Sequence, residues 1–237
     1  MVNITRVYTR TGDDGSTALG DFSRTRKTDP RLAAYADANE ANAAIGIAIA
    51  AGDLDEDVKV VLIRIQNDLF DIGADLCTPL ATEYAYEPLR VKAEWIDELE
   101  RDCDEYLERV EKLRSFILPG GSPGSAYLHL ATTITRRAER ATWAAIEEYG
   151  TEPAAPAQKP AGDAEGAGDA GDAAEGATDA EQAAPGGINP LTAKYLNRLS
   201  DLLFVLARVA NISRGGDILW RPGGGREEPD NPKYRKR

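Results

Sequence analysis

Residues 54–77 read LDEDVKVVLIRIQNDLFDIGADLC, and within them Leu54, Val58, Val61, Leu62, Ile65, Leu69, Ile72 and Leu76 recur three or four positions apart. That spacing gathers the apolar side chains on one face of a helix, whereas a strand would scatter the same set over both of its faces. The same periodicity runs through most of the chain beyond its opening loop. Start and stop signals divide it. Asp29-Pro30, Ser122-Pro123 and Asn189-Pro190 each put a capping side chain before a proline suited to the first helical position, and Thr78-Pro79 closes another helix. The predicted helices fall near 30–51, 54–77, 90–113, 123–149 and 190–213, with a strand only at 18–22. The expected fold is all-α, a five-helix antiparallel bundle preceded by a short N-terminal phosphate-binding loop.

That loop is Thr9-Arg10-Thr11-Gly12-Asp13-Asp14-Gly15-Ser16-Thr17, which has no apolar side chain to bury. Gly12 and Gly15 permit positive φ, and the exposed N–H groups of such a turn form a nest for an anion, with Thr and Ser hydroxyls as further donors. Asp13 and Asp14 would repel a polyphosphate unless they turn away, orient Arg10, or meet it through a hard cation such as Mg²⁺. Taken alone, the loop reads either as a metal-nucleotide site or as a solvated turn.

The chain has 237 residues, 42% of them hydrophobic, and a formal charge of −12. Residues 151–187 hold eight acids against Lys159 and contain no Leu, Val, Phe, Tyr or Trp. Built of Ala, Gly, Pro and acids, this stretch cannot bury enough apolar surface to offset its ordering entropy. It reads as a disordered acidic insert between the fourth and fifth helices of a single domain spanning 1–237. Lengthening a surface loop costs little, roughly 0.6 kcal/mol per doubling, so the insert leaves the core alone. Residues 221–237 read as a flexible tail. The acidic balance argues against nucleic acid, whose phosphates demand clustered Lys and Arg. The absence of a long apolar run or a secretory signal makes a soluble cytoplasmic protein the expectation. Cys77 and Cys103 lack metal-ligand spacing and read as reduced core groups.

On the fourth helix Arg136, Arg137, Glu139 and Arg140 form RRAER, and Arg136 and Arg140, four apart, share a face. Two guanidinium forks there make either an oxyanion clamp or part of a surface salt-bridge ladder. On the fifth helix Asn197, Arg198 and Asp201 interrupt a greasy run. His129, the one histidine, reads as a satisfied core residue. No Walker loop, nucleophile elbow or zinc ligand set occurs. A nucleophile, if the protein uses one, comes from a substrate.

Four motifs in order, TRTGDDGST at 9–17, FILPGG at 116–121, RRAER at 136–140 and NRLSD at 197–201, closely resemble the PduO-type ATP:cob(I)alamin adenosyltransferases. The resemblance runs from about Val7 to Arg208 except the insert. It implies a homotrimer with sites between subunits and transfer of the 5′-deoxyadenosyl group of ATP to cobalt, with triphosphate leaving. It implies that Thr9, Arg10, Thr11, Gly12, Ser16 and Thr17 cradle the triphosphate with Lys27, that Arg136, Arg137, Glu139, Arg140 and Asn197 contact the nucleotide, and that Arg136 and Arg140 carry the developing charge. Phe116 would fill the lower face of cobalt and exclude an axial ligand. Mg²⁺ would accompany ATP, a reductase would supply electrons, and a B12-dependent enzyme would receive the product. A non-catalytic nucleotide or corrinoid delivery protein is the alternative, and a helical interaction protein with merely salt-bridged arginines is a third. Many members carry an acid and an Arg where this chain has Asn39 and Thr132, and Lys where it has Arg10 and Asp14. The paired loss at Asn39 and Thr132 avoids an orphan buried charge, and a hydrogen bond or close packing between them is expected.

Overall fold

The computed structural model describes Tyr8, residues 10–154 and residues 186–223. Five helices form the bundle: α1 Pro30–Ala51, α2 Glu56–Cys77, α3 Ala93–Leu107, α4 Pro123–Tyr149 and α5 Pro190–Val209. A 3₁₀ turn follows at Ile212–Arg214. The three proline starts are capped as their sequence demands: Asp29 accepts from the Arg31 N–H, Ser122 from Ser125 and Asn189 from Leu191.

Consecutive helices in the bundle run in opposite directions. Arg31 at the start of α1 reaches the carbonyl of Leu76 at the end of α2, and Asp29 meets Tyr149 at the end of α4. Helices α3 and α5, both starting beside the Asp75–Asn189 contact, run parallel to each other. The core is built from Leu62, Ile65, Leu69, Ile72, Leu128, Leu196, Leu199 and Leu203, with no more than 1% exposure among them. Helix α1 contributes small residues instead, Ala34, Ala38, Ala41, Ala44 and Ala48, and α4 answers with Ala131, Ala138 and Ala145. Small facing surfaces let the two axes approach closely. At their far end a Cβ on Gly124 would sit 2.6 Å from the Gly52 carbonyl oxygen, so glycine there serves close backbone approach.

The strand expected at 18–22 is replaced by a hairpin. β1, Ser16–Ala18, pairs antiparallel with β2, Arg24–Arg26, with Thr17 opposite Thr25. Leu19 to Phe22 make the turn, closed by the Leu19 N–H on the Ser23 carbonyl at 2.8 Å. Helix α3 is shorter than the predicted 90–113, since Arg90 and Val91 are held by Asp75 before the helix begins and the chain turns after Leu107.

The flanks of the acidic insert are ordered. Ala154 N–H donates to the Leu80 carbonyl at 2.8 Å, Leu80 N–H to Gly187 at 3.0 Å, and Gly187 N–H to Glu152 at 2.9 Å. Residues 151–154 and 186–187 therefore belong to a hydrogen-bonded stem, and the rest of the expected insert lies outside the described residues, as does the tail from 224.

Candidate active site

The N-terminal hairpin holds the loop from inside. Asp14 Oδ1 accepts from the Ser16 N–H at 2.9 Å and the Ser16 hydroxyl at 2.7 Å, an Asx turn. The Arg24 guanidinium crosses the loop, donating to the Thr11 carbonyl at 3.0 Å and to the Ser16 hydroxyl. Lys27 Nζ donates to the Gly12 carbonyl at 2.7 Å. Two cations thus cap outward-facing carbonyl oxygens. The hydrogen bonds from Ser16, and to a lesser degree the charge of Arg24, hold the Asp14 carboxyl below its ordinary range.

Positive φ is found at Gly15, at 84°, and at Arg10, at 63°, but not at Gly12. Gly12 is required for another reason. A Cβ there would stand 2.8 Å from the Ser16 carbonyl oxygen and 3.2 Å from Lys27 Nζ. Thr17 lies in β1, and Thr9 is outside the described residues.

On α4, Arg136 and Arg140 are exposed and Glu139 is half-buried, and with Thr133 they line an open depression of about 230 Å³. Asn197 on α5 joins them, its Nδ2 donating to Glu139 Oε1 at 3.0 Å. Arg137 departs from the group. It pairs with Asp37 at 3.2 Å and with Glu40, tying α4 to α1. Arg198 likewise pairs with Glu100 at 2.7 Å and Asp201 at 3.3 Å.

Phe116 precedes α4 on a short extended segment. Leu118 N–H donates to the Ile218 carbonyl at 2.7 Å and Trp220 N–H to that of Phe116 at 2.8 Å. The Phe116 ring is 78% exposed and meets Trp220 edge-on, with centroids 6.0 Å apart. An aromatic left this open is available to a ligand.

The sequence model of the family described as Cobalamin adenosyltransferase matches residues 7–159 and 174–210. This chain belongs to that family. Among its relatives, the corrinoid adenosyltransferase of Mycobacterium tuberculosis H37Rv is 51% identical over 225 residues, covering 95% of this chain and 97% of its own. That of Bacillus subtilis is 35% identical, covering 90% and 91%. Similar solved structures include a phenylalanine-to-alanine variant of a PduO-type ATP:corrinoid adenosyltransferase from Lactobacillus reuteri complexed with cobalamin and ATP. It superposes with a TM-score of 0.71 at 30% identity, covering 92% of this chain and 100% of that one. An arginine-to-lysine variant complexed with ATP matches with a TM-score of 0.67 at 29% identity, covering 91% of this chain and 100% of that one.

In this chain the sites named from the sequence fall in three regions along the bundle. Thr25 and Tyr149 both bond Asp29, which places the hairpin at the C-terminal end of α4. Arg136 lies midway along α4, roughly 20 Å from either end at 1.5 Å per residue, and Phe116 lies beyond its start. Among the described residues no hydrogen bond or ion pair joins the hairpin to Arg136, Arg140 or Asn197. Arg24 was not singled out in the sequence. Its place opposite Ala18 in the hairpin register, rather than its spacing, brings it onto the loop.

Of the two arrangements expected for Asn39 and Thr132, a hydrogen bond or close packing, the hydrogen bond is not formed. Thr132, 8% exposed, donates instead to the Leu128 carbonyl at 2.9 Å within its own helix, and Asn39 is half-buried on α1. His129 is buried, but Nε2 lacks a partner and the ring packs edge-on against Phe204. It is a core histidine without the satisfaction expected of one. Among the described residues no three His, Cys, Asp or Glu groups gather to hold a metal, and no helix is long and apolar enough to cross a membrane.

Proposed function

We infer that this protein transfers the 5′-deoxyadenosyl group of ATP to the cobalt of cob(I)alamin, releasing triphosphate and forming adenosylcobalamin. The observation that carries this reading is the open α4–α5 face on which Arg136, Arg140 and the Glu139–Asn197 pair converge, in a chain similar to structures complexed with cobalamin and ATP. Cob(I)alamin is the nucleophile. Its cobalt electron pair attacks C5′, the cobalt–carbon bond forms as the C5′–oxygen bond breaks, cobalt ends as alkyl-Co(III), and the bonding pair leaves on triphosphate.

The protein's task is then alignment and charge stabilisation rather than covalent catalysis. Arg136 and Arg140 receive the growing negative charge of the leaving triphosphate, two permanent cations with planar donors. Glu139, held by Asn197, orients them. Magnesium enters with ATP as a hard, oxygen-seeking ion. Phe116 covers the lower face of cobalt, displacing an axial ligand that would oppose formation of Co(I). Thr9, Arg10, Thr11, Gly12, Ser16, Thr17 and Lys27 cradle the triphosphate, with Arg137 contributing once ATP draws it from α1.

The hairpin and the arginine face lie apart on one chain, so the loop of a neighbouring subunit completes each site. A homotrimer follows from the family resemblance. Free Cys77 and Cys103, whose thiol pKa values burial pushes up to about 11 and about 12, suit a reducing cytoplasm. A reductase supplies the electrons there, and a B12-dependent enzyme takes the product.

An anaerobic spectrum of chemically reduced cobalamin with Mg-ATP tests the reading. Protein-dependent loss of the Co(I) bands, with a light-sensitive product and one triphosphate per corrinoid, is expected. Persistence of those bands while ATP still binds would leave a binding or delivery protein.

A further inference from the structure

The hairpin that presents the triphosphate loop has little apolar purchase on the bundle. Of residues 10–29 only Leu19 is buried, so polar contacts must set the hairpin's position. These contacts lie at its two ends. At the turn, the Gly20 N–H donates to the Cys77 carbonyl at 2.8 Å and the Tyr86 hydroxyl donates to the Gly20 carbonyl. At the other end, beside the loop, the contacts converge on the Asp29 carboxylate. Its Oδ1 accepts from the Arg31 N–H at 2.7 Å, as the cap of α1. Capping leaves Oδ2 over, and that oxygen accepts from two hydroxyls, Thr25 in β2 and, at 2.7 Å, Tyr149 in the last turn of α4. Burial pushes the Asp29 carboxyl up, but the hydroxyls of Thr25 and Tyr149 outweigh it and hold the group below its ordinary range.

Tyr149 is itself held. Its ring lies over the Arg31 guanidinium, with Cζ 4.8 Å from the centroid, and Arg31, 1% exposed, is fixed by the carbonyls of Leu76 at 3.1 Å and Gly186 at 2.6 Å. Burial and the bond to Asp29 push the Tyr149 hydroxyl up to about 12, so it stays a protonated donor at neutral pH. The hydroxyl is thereby aimed from the end of a long helix, through Asp29, at Thr25, which stands opposite Thr17 at the root of the loop.

We propose that Tyr149 is a positioning residue for ATP: through Asp29 and Thr25 it fixes the angle at which the hairpin offers the triphosphate loop to the arginine face of the neighbouring subunit. Tyr149 acts on the loop alone and touches neither nucleotide nor cobalt. This assignment rests on the proposed function, from which the nucleotide and the neighbouring subunit's site come. A loop set loose must be ordered again by each ATP that binds, so the tether acts on affinity for ATP and leaves the chemistry of the bound complex alone.

The test is Tyr149→Phe, which keeps the ring on Arg31 and removes only the hydroxyl, alongside Thr25→Val and the double variant, all as full-length protein. Each single variant is expected to bind Mg-ATP about fivefold more weakly in equilibrium titration, as loss of one hydrogen bond to a carboxylate implies, with kcat at saturating ATP unchanged. The double variant should be little weaker than either single one, because both hydroxyls act through one carboxylate. In Tyr149→Phe without nucleotide, the Lys27 and Asp29 amides, bonded to the Gly15 and Arg26 carbonyls, should exchange hydrogen about tenfold faster, while those of buried Ile65 and Leu69 on α2 keep the wild-type rate. Unchanged affinity for ATP, a loss in kcat alone, full additivity of the two losses, or faster exchange spread evenly into α2 would each overturn the proposal. Exchange and ATP binding are read without turnover. A wild type that binds Mg-ATP but makes no adenosylcobalamin therefore sinks the enzymatic reading while the tether is still decided, and one that does not bind Mg-ATP sinks both.

Discussion

Asn197 Nδ2 donates to Glu139 Oε1 across 3.0 Å, so the arginine face of α4 is braced from α5. Asn197 is exposed, and an exposed polar contact contributes only about 0–1 kcal/mol to folding. Asn197→Ala should therefore leave the thermal midpoint almost unchanged yet raise the KM for ATP by about tenfold, the effect of about 1.4 kcal/mol. A double-mutant cycle with Glu139→Ala checks the brace. The two losses should fail to add, and strict additivity would mean that the side chains act separately.

Arg136→Ala should lower kcat by about 10²–10³, the scale on which one stabilising donor to a transition-state oxyanion acts. Arg136→Lys should recover only part of this, since an ammonium keeps the charge and loses the planar fork. Unfolding free energy should change by no more than about 0.5 kcal/mol for either, because Arg136 is exposed. Steady-state kinetics and urea unfolding on the same preparations separate the two effects.

Helices α1 and α4 were legible to the residue, because proline and a capping side chain fix one end of each and glycine the other. The end of α3 was not. Its apolar spacing continues past Leu107, and what stops it is tertiary: Arg109 is drawn to Asp57 and the next turn closes on Tyr106 and Leu107. The site was legible as motifs and only partly as geometry. Arg136 and Arg137 are adjacent in sequence, but the helix turns them about 100° apart, so one faces the Glu139–Asn197 patch and the other pairs with α1. The Ser16 hydroxyl looks like a free donor in a Gly-Ser-Thr run; Asp14 engages it through a local Asx turn, and its engagement by Arg24 depends on a hairpin register that spacing does not reveal.

Asp75 is 1% exposed and binds three segments, accepting from Arg90 at 2.5 Å, from the Val91 N–H at 2.8 Å and from Asn189 Nδ2 at 2.7 Å. Its loss takes the carboxylate from the half-buried Arg90 guanidinium and uncaps the approach to both α3 and α5. Asp75→Ala should cost about 3–5 kcal/mol, as breaking one side of a buried pair does. Denaturant unfolding of the variant checks this, and a loss below 1 kcal/mol would show that solvent replaces the carboxylate.

Phe116→Ala separates catalysis from binding. The ring is 78% exposed, so folding and the affinity for ATP should hold. Turnover should collapse, because the lower axial ligand is then free to return and oppose Co(I). A variant that keeps wild-type kcat would remove Phe116 from the chemistry and leave it as the partner of Trp220 alone.

His129 ties stability to pH. Burial lowers its pKa from the ordinary 6.5, outweighing the opposing pull of Asp217, and Nε2 has no partner to hold a proton. A base whose folded pKa is depressed binds more protons when unfolded, so its contribution is complete above pH ~6.5, the unfolded value. That contribution is lost as pH falls from there toward the folded pKa, with a slope of at most about 1.36 kcal/mol per pH unit for one proton. His129→Phe, which keeps a ring against Phe204, should flatten the pH dependence of unfolding between pH 7 and the onset of carboxylate titration. Urea unfolding of both proteins across that window decides it, and an unchanged slope in the variant would place the titration elsewhere.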